Sequence, residues 1–380
     1  MRPLEGYIVL DFAQYLAAPW AATKLADLGA RVIKIESPKG GDNSRRLTLC
    51  NLIVDGDSTV FHSMNRNKES YTANLKDPED LARVKKIIEK SDVMIHNFRP
   101  GVMDRLGLDY QTVKAINPRM VYASITGYGA DGPLVKKPGQ DLLVQSMTAI
   151  PWLSGNSDGD PTPIGLAAID MFTSMNVVEG ILASLLRRAK TGEGALVEAS
   201  LLESSIDFQF EVLTTYLNDG GNIQERCKVS NAHPYLPAPY GIYKTQDGYL
   251  ALAMGSILVL GELLECPKLL EYQVVDEWFT NRDEIKTVLT NHIATRTTRE
   301  WLDKLEPADY WAAKVNTIAD VVNDPEMNHC DMFQEVVRKN GTKLMTTRCP
   351  LRIDGEKIFA SKGAPVLGED TADINKEFNL

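Results

Sequence analysis

The sequence predicts an α/β protein with a second, smaller α+β domain, and three observations support this. Apolar runs of strand length alternate with helix-period segments through the first 125 residues. Strands joined by helices pair in parallel through right-handed crossovers, so this part should hold a parallel sheet. After about Asn218 the pattern changes to a hairpin signal followed by two helices.

In chain order, Tyr7–Asp11 reads as a buried strand, Pro19–Leu28 as a helix stopped by Gly29, and Arg31–Ile35 as a second strand. Asp77-Pro78 opens a helix through Lys90, because Asp caps a helix and Pro suits its first turn. Asp92–His96 and Met120–Ile125 are further strands. Residues 141–150 and 167–189 read as helices, the second ending at Lys190-Thr191-Gly192, and Leu196–Ser200 as one more strand. Tyr240–Lys244 and Tyr249–Met254 flank Gln246-Asp247-Gly248, a hairpin turn. Asn281–Ala294 is helical, and Thr297-Thr298-Arg299-Glu300 opens another helix with a capping-box pattern. The domain expectation is a large domain from residues 1–218 and 326–380, and a small one at 225–325.

Composition narrows the function. The 380 residues are 44% hydrophobic and 24% charged, with a net charge of −10 and scattered Lys and Arg. Wholesale binding to nucleic acid or an anionic membrane needs a basic face, so both are disfavoured, while a small anionic ligand is not. The five cysteines form no CxxC pair, so neither zinc nor a disulfide framework is expected, and a reducing, cytoplasmic setting fits. No signal-peptide pattern opens the chain, and the longest apolar stretch, 164–186, is interrupted by Asp170, Asn176 and Glu179, against a membrane span. The histidines show no ligand spacing; His233 alone is a candidate for a substrate cleft. Asp158 and Asp160 sit in a Gly-rich loop and read as a solvated turn.

The common catalytic motifs are missing. The first strand–helix turn, Phe12 to Pro19, has no GxGxxG, so its backbone cannot approach a pyrophosphate in the usual way, and a nicotinamide oxidoreductase is disfavoured. There is no GxxxxGK[ST], no GxSxG elbow and no HExxH helix.

Eight segments, in order and from end to end of the chain, resemble the class III coenzyme A-transferase family, which includes formyl-CoA transferase, carnitine CoA-transferase and the related α-methylacyl-CoA racemases. They are Gly6–Pro19, Leu28–Glu36, Asn65–Ser70, Asn97–Gly107, Asn117–Gly129, Gly139–Gln145, Thr191–Leu202 and Gly363–Thr371. The resemblance implies a Rossmann-like large domain built from both chain ends, an interlocked homodimer, and transfer of CoA from an acyl-CoA donor to a small carboxylic acid, with no metal and no permanently bound cofactor.

Read from the residues alone, Asp170 either caps its helix or serves as a nucleophile. In the family the catalytic aspartate follows a Pro-rich loop, on the first turn of a long helix. Pro161-Thr162-Pro163-Ile164-Gly165 leading into Ala167–Asp170 matches that pattern, which implies that Asp170 attacks the thioester. A helix N-terminus should favour its ionised form. The resemblance also implies a CoA site at Gln14, Tyr15, Leu16 and Ala17, at Ala73 and Lys76, at Asn97, Phe98 and Arg105, and at Gln140. There Lys76 and Arg105 would meet the phosphates. Three departures bear on the substrate. Leu16 stands where formyl-CoA transferase has a glutamine, Gln140 where the racemases have a catalytic histidine, and residues 225–260 hold only Gly241, Gly248 and Gly255 in place of a glycine-rich loop. Formate and oxalate are therefore not favoured as the substrate pair. The alternatives are a racemase-type proton transfer and a CoA-ester-binding protein without catalysis.

Overall fold

The computed structural model describes residues 1–380. The chain divides into two compact units, one of residues 1–144, 167–208 and 328–380, the other of residues 145–166 and 209–327.

The first unit is built on six parallel strands. β1 (Ile8–Asp11), β2 (Arg31–Glu36), β3 (Lys68–Thr72), β4 (Val93–His96), β5 (Val121–Thr126) and β6 (Ala195–Ser200) lie in the order β3-β2-β1-β4-β5-β6. The order reverses between β1 and β4, and in such sheets the crevice outside the carboxyl ends of those strands is where ligands bind. β1, β4 and β5 are mostly apolar runs because helices cover both faces, while β2 alternates buried Val32, Ile33 and Ile35 with Lys34 and Glu36, which are buried as charged groups. Leu10, Ile33, Met94 and Tyr122 join one core with Val84, Ile87 and Ile88 of α2 (Pro78–Glu89) and with Ile374 and Phe378 near the C-terminus. Asp77 caps α2 by accepting from the N–H groups of Glu79 and Asp80.

β3 was not legible as a strand. Its Lys68 and Ser70 are fully buried yet polar, so it shows no apolar pattern. Their partners come from elsewhere: Asp11 and Pro19 for the Lys68 ammonium, Glu36 for the Ser70 hydroxyl.

α1 (Ala17–Asp27) follows β1, and α3 (Asp141–Met147) and α4 (Ala168–Thr191) lie between β5 and β6. α4 is long and apolar enough to cross a membrane by length and composition alone, but here it packs on α1, β5 and β6. Gly127 and Gly139 bring the entry to α3 against the end of β5: a Cβ added to Gly127 would lie 2.7 Å from the Gly139 Cα.

The second unit holds an antiparallel sheet of β7 (Gly241–Lys244), β8 (Tyr249–Leu252) and β9 (Ala312–Lys314), with β8 central. Helices Arg282–Ile293 and Thr298–Leu305 pack Leu289 and Trp301 onto it, and Thr297 and Glu300 form the capping box. Residues 145–166 and 209–218, expected in the large domain, belong to this unit, as do 219–224, expected in neither. Arg226 shows why. Its guanidinium donates to the carbonyls of Ser154 at 2.7 Å and Gly159 at 2.6 Å, tying that loop to the rest of the unit.

Candidate active site

A cavity of about 540 Å³ lies at the carboxyl ends of β1 to β4. Phe12, Ala13 and Gln14 line it after β1, Glu36 at the end of β2 with Gly41 and Asp42 beyond it, Ala73 to Lys76 after β3, and Phe98, Val102, Arg105 and Leu106 after β4. Its two acids are already paired: Glu36 with Arg45 at 2.8 Å and Asp42 with Lys34 at 2.8 Å. Lys76 and Arg105, both exposed, are the cations of its lining, and Phe98 and Leu106 supply apolar surface.

The turn after β1 explains the missing glycine fingerprint. Ala13 N–H donates to Asp11, Gln14 N–H to Asn97, and Tyr15 N–H to Asp42, while Lys34 donates to the Ala13 carbonyl. The protein's own side chains thus take up the N–H groups of Ala13, Gln14 and Tyr15. The holding charges are themselves buried. Burial pushes the Lys34 ammonium down, but Asp11, Asp42 and Glu36 outweigh it and hold the group above its ordinary range. Burial brings Lys68 down to about 8 despite Asp11 beside it.

Asp170 occupies the first turn of α4, but it is not the cap. The N-cap position is Ala167, with no side-chain hydrogen bond. The cap is supplied by Asp141, whose Oδ1 accepts from Ile169 N–H at 2.8 Å and Asp170 N–H at 3.0 Å. Burial, followed by the like charge of Asp141, pushes the Asp170 carboxyl up to about 7 from an ordinary 3.8. This differs from the sequence expectation that the helix terminus would favour the ionised form. A helix N-terminus is worth about 0.3–1 kcal/mol to a carboxylate, whereas a shift of this size corresponds to roughly 4 kcal/mol, so desolvation wins. One turn further on, Ser174 Oγ donates to the Ala17 carbonyl at 2.6 Å, so α4 is fastened to the first residue of α1.

A parallel sheet with a ligand-sized crevice, and a carboxyl of raised pKa on a helix tied to the start of α1, narrow the chemistry, and comparison with known proteins decides the family. The family model of CoA-transferase family III matches residues 4–371. The chain belongs to that family. Succinyl-CoA:glutarate CoA-transferase of Mus musculus is 33% identical over 99% of this chain and 86% of its own length. Acetyl-CoA:oxalate CoA-transferase of Acetobacter aceti is 33% identical over 99% of this chain and 96% of its own. A CaiB/BaiF family protein from Brucella suis superposes with a TM-score of 0.85 at 32% identity, covering 99% of both chains. This chain is thus a class III CoA-transferase.

Set against the CoA-transferase expectations, Gln14, Ala73, Lys76, Phe98 and Arg105 all line the cavity. Tyr15, Leu16, Ala17, Asn97 and Gln140 are not among its lining residues. Tyr15 is exposed at φ 66°, Leu16 is the N-cap residue of α1, and Ala17 is buried as that helix's first residue. Asn97 spends its carboxamide on Gln14, and Gln140 is exposed ahead of α3. Asp141 is the functional neighbour that sequence reasoning left without a role. The signal for it was slight: an acid at the start of a helix, with nothing local to show which helix it caps. His233 lies in the second unit, where its Nε2 is 3.2 Å from Glu211 and its Nδ1 accepts from Tyr235 N–H.

Proposed function

We propose that this CoA-transferase moves CoA from an acyl-CoA donor to a short dicarboxylic acid by covalent catalysis on Asp170. The observation that supports it most is the pKa of about 7, which leaves the carboxylate partly ionised at neutral pH and poorly solvated, as a nucleophile requires. The carboxylate attacks the donor's thioester carbonyl and expels CoA thiolate, leaving a mixed aspartyl anhydride. The thiolate then attacks the Asp170 carbonyl carbon and releases the donor acid, giving an aspartyl-CoA thioester. The acceptor carboxylate reverses both steps and leaves as the new thioester. Asp170 supplies the nucleophile throughout, so no permanently bound cofactor is required.

The cavity suits CoA. Lys76 and Arg105 offer charge for phosphates, and Phe98 and Leu106 an apolar wall. The dicarboxylate acceptor rests on the relatives, one named for glutarate and one for oxalate, an acid that the departures from formyl-CoA transferase alone do not favour. A homodimer belongs to the same reading. The chain exposes 19688 Å², against about 15,000 Å² for an average folded monomer of 42.1 kDa. Leu186, Phe210, Leu217 and Ile318 are each at least 68% exposed, which is apolar surface that a partner would cover. Five free cysteines fit a cytoplasmic location. A panel of acyl-CoA donors against short mono- and dicarboxylates, read by mass spectrometry, tests the substrate reading. Turnover confined to monocarboxylate acceptors would refute it.

A further inference from the structure

The segments leaving β1 and β4 part at the point where the strand order reverses, and the last backbone bond between them is Phe12 N–H to the Ile95 carbonyl. Beyond it, one side chain spans the gap. Asn97 Oδ1 accepts from Gln14 N–H at 2.9 Å, and its Nδ2 donates to the Gln14 carbonyl at 2.6 Å. The next residue, Tyr15, sits at φ 66°, a left-handed conformation that side chains other than Asn and Asp seldom adopt. A strained residue holds its conformation only where its surroundings fix it. We propose that Asn97 is a positioning residue for CoA, clamping Gln14 and thereby holding Tyr15 and the crevice wall in place, rather than a residue that touches the ligand. This rests on the reading of the crevice as the CoA site. Two observations support it: both ends of the carboxamide are engaged by Gln14, and Phe98 lines the cavity whereas Asn97 does not.

The test compares the parent with Asn97→Ala, Tyr15→Gly and the double variant. Deuterium exchange of the ligand-free protein is followed over residues 12–18, alongside CoA titration and the donor's KM and kcat. In the parent background, Asn97→Ala should speed exchange of the turn about tenfold, weaken CoA and raise KM by about tenfold, and change kcat less than about threefold. Glycine at position 15 relieves the strain, so adding Asn97→Ala to Tyr15→Gly should cost no more than about threefold in CoA affinity. Should the alanine variant fold poorly, Asn97→Asp keeps the volume and sets an oxygen against the Gln14 carbonyl, and it should show the same exchange signature. Equal losses of affinity in the two backgrounds with unchanged exchange would mean direct ligand contact and overturn the clamp. A parent that takes up no CoA would overturn the reading of the crevice itself, and its titration tells that failure apart from failure of the clamp.

Discussion

Asp170→Asn removes a carboxyl whose pKa stands at about 7 against an ordinary 3.8. Between those two values the folded protein holds a proton that the unfolded chain has released, so stability falls as pH rises through the window. Above pH 7 the full penalty for ionising a half-buried acid is present. The shift is about 3 pH units at 1.36 kcal/mol each, or roughly 4 kcal/mol as an upper figure. Asparagine does not titrate, so the variant should gain stability over the parent from pH 5 upward, by a little over 1 kcal/mol per unit. The gain should level off above about pH 7.5. For a chain of this length 1 kcal/mol moves the thermal midpoint by a little over 1 °C, so an increase of about 2–5 °C is expected at pH 8. The same variant should have no transfer activity, because a neutral amide is a poor nucleophile. Thermal midpoints of both proteins across pH 5 to 8.5 are the assay. A variant less stable than its parent at pH 8, or a difference independent of pH, would refute the reasoning.

Asp141→Asn keeps an oxygen for the N–H groups of Ile169 and Asp170 but removes the like charge, so the acid limb of the pH–rate profile should move below 7. Asp141→Ala also removes the cap, and should cost about 1 kcal/mol in a denaturant titration. Lys76→Met with Arg105→Met should raise KM for an acyl-CoA donor about tenfold or more while leaving the matching acyl-pantetheine unaffected, since only the former carries the phosphates. Sedimentation at nanomolar concentration should still show the dimer, and a folded, active monomer there would contradict the association proposed above.

How much of this could be read in advance depended on where each residue's partner lies. Leu10, Ile33, Met94 and Tyr122 are buried by the apolar pattern of their own strands, and that pattern gave β1, β2, β4 and β5 to within a residue or two. The cap of α2 and the capping box at Thr297 were legible because donor and acceptor lie three residues apart or less. β3 was hidden because Lys68 and Ser70 are stabilised by Asp11 and Glu36, dozens of positions away. The loop 145–166 was assigned to the wrong unit because Arg226, which fastens it, carries no local mark of that role. At the site, motif matching found the lining residues Gln14, Ala73, Lys76, Phe98 and Arg105, but it could not separate them from Asn97, whose carboxamide turns toward the protein itself. Burial raising the Asp170 pKa was equally out of reach, since the sequence shows the helix terminus but not the desolvation that overrides it.

Trapping the covalent intermediate tests the central claim most directly. The parent enzyme is incubated with an acyl-CoA donor and hydroxylamine, then digested, and the peptide containing Ala167–Met171 is examined by mass spectrometry. An activated Asp170 carboxyl, whether anhydride or CoA thioester, should be captured as the hydroxamate, and omission of the donor should abolish the product. Full turnover of the donor with an unmodified Asp170, or a hydroxamate on a different residue, would contradict the mechanism.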